Sequence, residues 1–241
     1  MTTSVLNKWL KNSHNYFLPT ACLLCGAVGQ GALNLCPGCC ANLPRKEQAC
    51  VRCAAALPQS HLCPDCQRNP PSFEKTCALF WYRPPVSDLI QQLKFQGALS
   101  VAPALGLLLA RRLTDCIDAY PDALLPVPLH RSRLRSRGYN QAVEIARIVS
   151  KQLTIPLLVS GVERVRATAP QSMLRTHRDR QRNMRNAFRL ECGFGKAAHI
   201  AIVDDVMTSG ATAEVLASAL EAVWKLSAQA SRLAMSLIMA R

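Results

Sequence analysis

The sequence predicts an α/β fold with a mostly parallel sheet, preceded by a small metal-stapled module. Three observations carry this. From residue 77 onward, short apolar runs alternate with segments of helical periodicity. Four Cys-x-x-Cys pairs crowd the stretch before residue 70. Residues 200–212 read as a strand ending in two carboxylates, then a turn of small residues, then a helix.

The elements follow in order. Residues 77–82 form an apolar and aromatic strand, and 86–95 a helix with its apolar face at Val86, Leu89, Ile90 and Leu93. A second helix is expected over 100–116, with Ser100 as its cap and Pro103 in its first turn. Residues 123–127 read as a buried strand. Residues 138–153 read as a helix through Ala142, Ile145, Ala146, Val149 and Leu153, and 157–160 as a short strand. A strand at 199–203, a helix at 211–224 and a closing strand at 233–239 complete the sheet.

With 241 residues, 49% of them hydrophobic, the chain can bury one ordinary core and a small one. The expected division is a lead segment at 1–19, a cysteine module at 20–70 and a main domain at 71–241, joined by a polar, Pro-containing linker at 67–71. Lys8, Lys11 and His14 interrupt the region where a secretory signal needs an apolar run. The longest apolar stretch, 101–110, is about half of the roughly 20 residues that span a bilayer. A soluble, cytoplasmic protein without a membrane span is expected.

Twelve cysteines in a reducing compartment argue for metal rather than disulfides. Cys22, Cys25, Cys36 and Cys39 form one set, and Cys50, Cys53, Cys63 and Cys66 form a second, with nine residues between its pairs where the first has ten. Paired thiolates on tight turns converge on a tetrahedral zinc, and four thiolates leave no open position for water, so two structural rather than hydrolytic zinc ions are expected. The spacing leaves open whether Cys40 replaces Cys39 and whether the two sets cross-pair. Few large apolar residues lie between the pairs, so metal binding should supply most of the module's folding free energy. Cys77, Cys116 and Cys192 stand alone and read as core residues.

The net charge of +14 is uneven: residues 127–190 carry 14 Lys plus Arg against 3 Asp plus Glu. Such a concentration suits a diphosphate, a nucleic acid, or both. At the strand's end, Asp204 and Asp205 can accept hydrogen bonds from ribose hydroxyls and attract a hydrated magnesium ion. The N–H groups and hydroxyls of Thr208, Ser209, Gly210, Ala211 and Thr212 can surround a phosphate. Arg131, Arg133, Arg135 and Arg137 crowd the loop after the 123–127 strand. A long basic stretch at 164–185, interrupted by Pro170, reads as a lid able to close over a diphosphate or, equally, as a basic surface for nucleic-acid phosphates.

Residues 204–212 resemble the phosphoribosyl pyrophosphate (PRPP) loop of type I phosphoribosyltransferases. That resemblance implies that Asp204 and Asp205 address the ribose, residues 208–212 hold the 5′-phosphate, and Leu129, His130, Arg131 and Ser132 form the diphosphate loop. Arg137, Arg166, Gln171, Arg175, Arg178 and Arg182 would then serve the basic lid. Together with the eight cysteines, Pro126-Val-Pro128, Arg137-Gly-Tyr-Asn-Gln141 and the Thr168, Gln171, Leu174, Arg182, Asn183, Phe188 spacing, the chain resembles the ComF family of competence proteins over nearly its whole length. The resemblance implies a double zinc ribbon, a phosphoribosyltransferase-like domain binding PRPP with magnesium, and a role in DNA uptake or in use of DNA as a nutrient. Partners would be single-stranded DNA and DNA-uptake or helicase proteins. Three functions stay open: a transferase with an unknown acceptor, a non-enzymatic single-stranded-DNA adaptor, and a PRPP sensor.

Overall fold

Packing divides the chain between Leu43 and Pro44. The structure, a computed structural model, describes residues 20–59, 61–117, 119–167, 186–190, 197, 199–224 and 231–239. The first unit contains the first cysteine set. An Ala21–Val28 antiparallel bridge closes a tight turn, a 3-10 turn follows at Gly31–Leu33, and the short helix α1 spans Pro37–Ala41. Pro37 suits the first helical position because its missing N–H would have had no partner there.

The second unit contains the second cysteine set and the sheet. Its cysteine segment repeats the local design, with an Ala49–Ala56 bridge and the short helix α2 at Pro64–Arg68. The chain then enters β1, Lys75–Trp81, whose central five residues are all buried. Helices α3 (Val86–Phe95) and α4 (Val101–Cys116) follow, then β2 (Ala123–Pro126). Next come α5 (Arg131–Arg137), α6 (Gln141–Leu153), and an antiparallel pair of short strands, β3 (Val162–Arg164) and β4 (Phe188–Leu190). The fold closes with β5 (His199–Met207), α7 (Ala211–Trp224) and β6 (Ser231–Met239).

The main sheet has the order β1-β6-β5-β2 and every pairing in it is parallel. Strands buried on both faces read as continuous apolar runs, as those around Ala78 and Ile202 do. Alternation puts Leu125, Ile200 and Ile202 on one face, against Leu216, Ala217 and Leu220 of α7 and Phe73. Leu124, Ala201 and Val203 take the other face, toward α4 and α6. The edge strand β1 is not left open. Arg45 bridges Phe80, Trp81 N–H donates to Pro44 C=O at 2.9 Å, and Thr76 N–H donates to Val51 C=O at 3.1 Å. These bonds bind the second cysteine segment to the sheet and cap an edge that would otherwise invite aggregation.

The helices at 86–95 and 211–224 fall where the sequence reading places them. Elsewhere the structure departs from the sequence reading. The arginine-rich stretch after β2, expected as a loop, is the helix α5. His130 caps its start by accepting from Ser132 N–H, and Gly138 ends it in a left-handed conformation at φ 83°. The strand expected to stop at Val203 runs on to Met207, because β6 continues to pair with it as far as Met239. The short strand expected at 157–160 shrinks to one parallel bridge between Leu157 and Leu124. The β3–β4 pair was not foreseen.

Helices α4 and α6 approach so closely at Gly106 that a Cβ there would lie 2.6 Å from the Ile148 Cβ. Gly106→Ala is therefore expected to destabilise the protein by about 1–3 kcal/mol, as overpacking does. Urea unfolding would detect this as a lower midpoint with an unchanged slope.

Candidate functional site

Among the described residues, two groups of side chains correspond to the sites expected from the sequence. The first comprises the cysteine clusters. Cys22, Cys25, Cys36 and Cys39 bring their sulfurs within 4.8 Å of one another, and so do Cys50, Cys53, Cys63 and Cys66. The sets do not cross-pair, and Cys40 lies outside them. The Cys25–Cys36 and Cys53–Cys63 sulfur separations are both 3.7 Å. A tetrahedral zinc with bonds of about 2.3 Å requires a sulfur–sulfur edge of about 3.8 Å, so the donor sets fit the ion.

Local backbone geometry builds both sets the same way. Cys36 and Cys63 cap their short helices, accepting from Cys39 N–H and Cys66 N–H at 3.4 Å each. Cys50 accepts from Cys63 N–H at 3.3 Å. Burial opposes ionisation of Cys22, but N–H groups of Cys36, Leu24 and Cys25 outweigh it and hold the thiol at about 6. The same balance, with N–H groups of Cys53, Cys63 and Arg52, holds Cys50 at about 7. Thiolates primed in this way bind metal at neutral pH.

The second group lies at the carboxyl edge of the parallel sheet. From β2 the chain passes outward through α5 and α6 to the bridge at Leu157, whereas from β5 it passes through α7 to β6 on the other side. The two connections diverge, so β2 and β5 flank a topological switch point, the usual crevice for ligands in such sheets. Val127 N–H donates to Val203 C=O at 2.9 Å, which sets residues 127–132 beside Asp204.

The two acids point to opposite faces, as successive strand residues must. Asp205 is 3% exposed and pairs with Lys94 Nζ of α3 at 2.7 Å. Asp204 is half-buried on the α7 side. Its burial, followed by the neighbouring Asp205 carboxylate, raises it to about 7, while Lys94 pulls the other way. Beyond the strand, Gly210 turns the chain at φ 76°, with Phe73 packed so close that a Cβ would touch its ring at 3.5 Å. The N–H groups in the first turn of α7 lack helical partners. Ser209 Oγ is buried and makes no hydrogen bond among the described residues. Glu214, in that first turn, is held by Ser72, whose N–H and hydroxyl donate to its two carboxylate oxygens at 2.8 and 2.9 Å.

Sequence reasoning overlooked Lys94 and gave Arg164 only as the first residue of the basic stretch at 164–185. Lys94 carried no motif. Arg164 reaches the crevice because β3 runs beside His130, with which it forms a parallel bridge. Arg164 is 7% exposed and its guanidinium stacks 5.8 Å from the Phe188 ring centroid. Burial and then Arg133 lower its pKa, and the Asp204 carboxylate raises it. Two cations and a carboxylate thus share one electrostatic environment. Ala187 and Ala211 are buried in one cluster, which fixes β4 against the start of α7.

The remaining expected site residues are placed as follows. Leu129 and His130 are half-buried beside the crevice, Ser132 binds His130 Nδ1 through its hydroxyl at 2.8 Å, and Arg131 is paired with Glu163 at 2.7 Å. Arg137 is held by Gln141 and lies 5.6 Å from the Phe95 ring centroid. The rest of that motif works locally: Tyr139 donates to Leu93 C=O, and Asn140 caps α6 while donating to Val127 C=O at 2.9 Å. Arg166 is described, whereas Gln171, Arg175, Arg178 and Arg182, and with them the body of the expected lid, lie outside the described residues. No helix among the described residues is long and apolar enough to cross a membrane.

The two clusters differ in what they support, which gives a test. Metal analysis should find two zinc ions per chain, and Cys22→Ser or Cys50→Ser should each leave one. Cys50→Ser should also lower the thermal midpoint of the sheet by several degrees, because its segment is hydrogen-bonded to β1. Cys22→Ser should leave that transition nearly unchanged.

Comparison with known proteins agrees with this organisation. A family profile described as a double zinc ribbon domain matches residues 13–67, which contain all eight clustered cysteines. The DNA utilization protein YhgH of Escherichia coli strain K12 is 36% identical over 211 residues, covering 84% of this chain and 91% of that protein. The protein of the same name from Salmonella typhimurium is 34% identical over 205 residues, covering 83% of each. Competence protein F of Haemophilus influenzae is 38% identical over 137 residues, covering 54% of this chain and 59% of its own. Since the YhgH proteins are 34–36% identical over more than four fifths of both chains, the chain belongs to the ComF family.

Proposed function

We propose that the crevice over β2 and β5 binds PRPP with magnesium, and that the protein uses this ligand in the DNA-uptake or DNA-utilisation role that ComF membership carries. The observation that carries the reading is the placement of Asp204, the turn at 208–212 and Arg164 around one switch point. Each part suits one portion of the ligand. First-turn N–H groups of α7, with the Thr208, Ser209 and Thr212 hydroxyls, would take the 5′-phosphate. Asp204 would accept from the ribose hydroxyls, and residues 129–132 with Arg133 and Arg164 would face the diphosphate. Magnesium, when bound, would neutralise the diphosphate as a leaving group.

The acids divide the work. Asp204, on the open face, takes the ligand, and Asp205 is a positioning residue whose partner is Lys94. On this basis the activity would be transfer of the phosphoribosyl group to a nitrogen nucleophile, through basic groups that stabilise the departing diphosphate. One observation favours a second reading, a single-stranded-DNA adaptor that keeps PRPP as a ligand: the excess of positive charge in residues 127–190.

Calorimetric titration tests the reading. PRPP should bind only with magnesium, and at least tenfold more tightly than ribose 5-phosphate or pyrophosphate. Because the ligand hydroxyls and magnesium select ionised Asp204, whose pKa in the free protein is raised to about 7, affinity should fall as pH drops below that value. Equal binding of ribose 5-phosphate would refute the site. Pyrophosphate release with a panel of nucleobases selects the transferase; PRPP binding without release, together with salt-sensitive DNA binding, selects the adaptor.

A further inference from the structure

We propose that Cys77 and Cys116 form an oxidisable thiol pair, independent of the metal clusters, that a hydroperoxide converts to an intramolecular disulfide. Both cysteines read as isolated in the sequence, yet the fold brings them together. Cys77 lies in β1, 1% exposed, on the face toward α4, and its Sγ sits 3.8 Å from the Arg112 carbonyl oxygen. In an α-helix that carbonyl serves the N–H of the residue four positions on, which here is Cys116, the last residue of α4. The Cys77 sulfur therefore abuts the helical turn that carries Cys116. Cys77 is buried and Cys116 half-buried, so one of the two can be reached from solvent.

The surroundings give the two sulfurs different parts. Hydrogen bonding from Cys77 lowers Cys116 to about 7 against the effect of burial, with Arg112 and Lys75 adding to the lowering and the Asp115 carboxylate opposing it. Cys77 is pushed strongly upward by its bond with Cys116 and by burial, so it keeps its proton. A half-exposed thiolate flanked by two cations beside a protonated resolving thiol is the arrangement that reacts with peroxides. The Cys116 thiolate attacks the hydroperoxide: the S–O bond forms, the O–O bond breaks, and the alkoxide or hydroxide leaves and takes up a proton. Cys77 then attacks the sulfenic sulfur: the S–S bond forms, the S–O bond breaks, and the Cys77 proton departs with the hydroxide as water. Two thiols and one hydroperoxide give one disulfide, one alcohol or water, and one water.

None of the eight metal-cluster cysteines takes part, and a disulfide here would tie the strand next to the edge-capping segment to the end of α4. The test uses the zinc-loaded full chain and a few equivalents of hydrogen peroxide, followed by alkylation and trypsin. Tryptic peptides 76–94 and 113–131 each contain a single cysteine, Cys77 and Cys116. They are expected as a linked pair, lighter by two hydrogens than the separate peptides, while zinc content stays unchanged. Cys116→Ser should abolish the link and leave Cys77 alkylated, and Cys77→Ser should leave a sulfenic acid at Cys116 that dimedone traps. If Cys116 remains alkylated until zinc is lost, or if wild-type Cys116 passes to sulfinic acid without linking to Cys77, the pair is not a redox site.

Discussion

The ion pair between Lys94 and Asp205 constrains the rest of the site. An acid buried to this degree is tolerated only with a partner, and removing one member of such a pair costs about 3–5 kcal/mol. The end of α3 is therefore tied to β5. Further bonds converge on the same place: Tyr139 donates to Leu93 C=O, next to Lys94, and Arg137 stacks on Phe95, the residue after it. The start of α6, the end of α5 and the end of α3 are thus fixed relative to the strand that carries Asp204. Because strand neighbours point to opposite faces, anchoring Asp205 in the core also orients Asp204 toward the crevice.

The second determinant is the divergence of the chain at β2 and β5. A parallel sheet places the loops after both strands at one edge, and their opposite crossovers open a gap between them. Into this gap the β3–β4 pair brings Arg164, held by the bridge to His130 on one side and by the packing of Ala187 against Ala211 on the other. Burial makes the Arg164 charge count: a guanidinium removed from water interacts with Asp204 more strongly than one in a solvated loop.

Much of this was legible in the sequence, for reasons that can be named. The helix at 86–95 carries a clear apolar face at Val86, Leu89, Ile90 and Leu93, and the cysteine spacing specifies both clusters because a Cys-x-x-Cys turn leaves its thiolates little freedom. The arginine-rich stretch misled because composition suggested a loop, whereas a local cap at His130 and a left-handed Gly138 are enough to close a short helix. The end of β5 was placed too early because the two acids look like a terminus, while the ladder with β6 is a long-range property that no local pattern reports. Lys94, and the place of Arg164 in a strand beside the crevice, escaped for the same reason: tertiary contact, not neighbours in sequence, makes them site residues. The meeting of Cys77 and Cys116 is likewise visible only once β1 packs on α4. Arg137-Gly-Tyr-Asn-Gln141, quoted for the family resemblance, builds a set of caps and braces.

The central claim is that two adjacent carboxylates do different jobs, one for the ligand and one for the fold. The most direct measurement compares Asp204→Asn and Asp205→Asn in parallel, by urea unfolding and by calorimetric titration with PRPP and magnesium. The account predicts that Asp204→Asn keeps wild-type stability or gains some while losing at least tenfold in PRPP affinity, and that Asp205→Asn loses about 3 kcal/mol of stability. Equal losses of affinity with unchanged stability in both variants would place both acids on the ligand and contradict it.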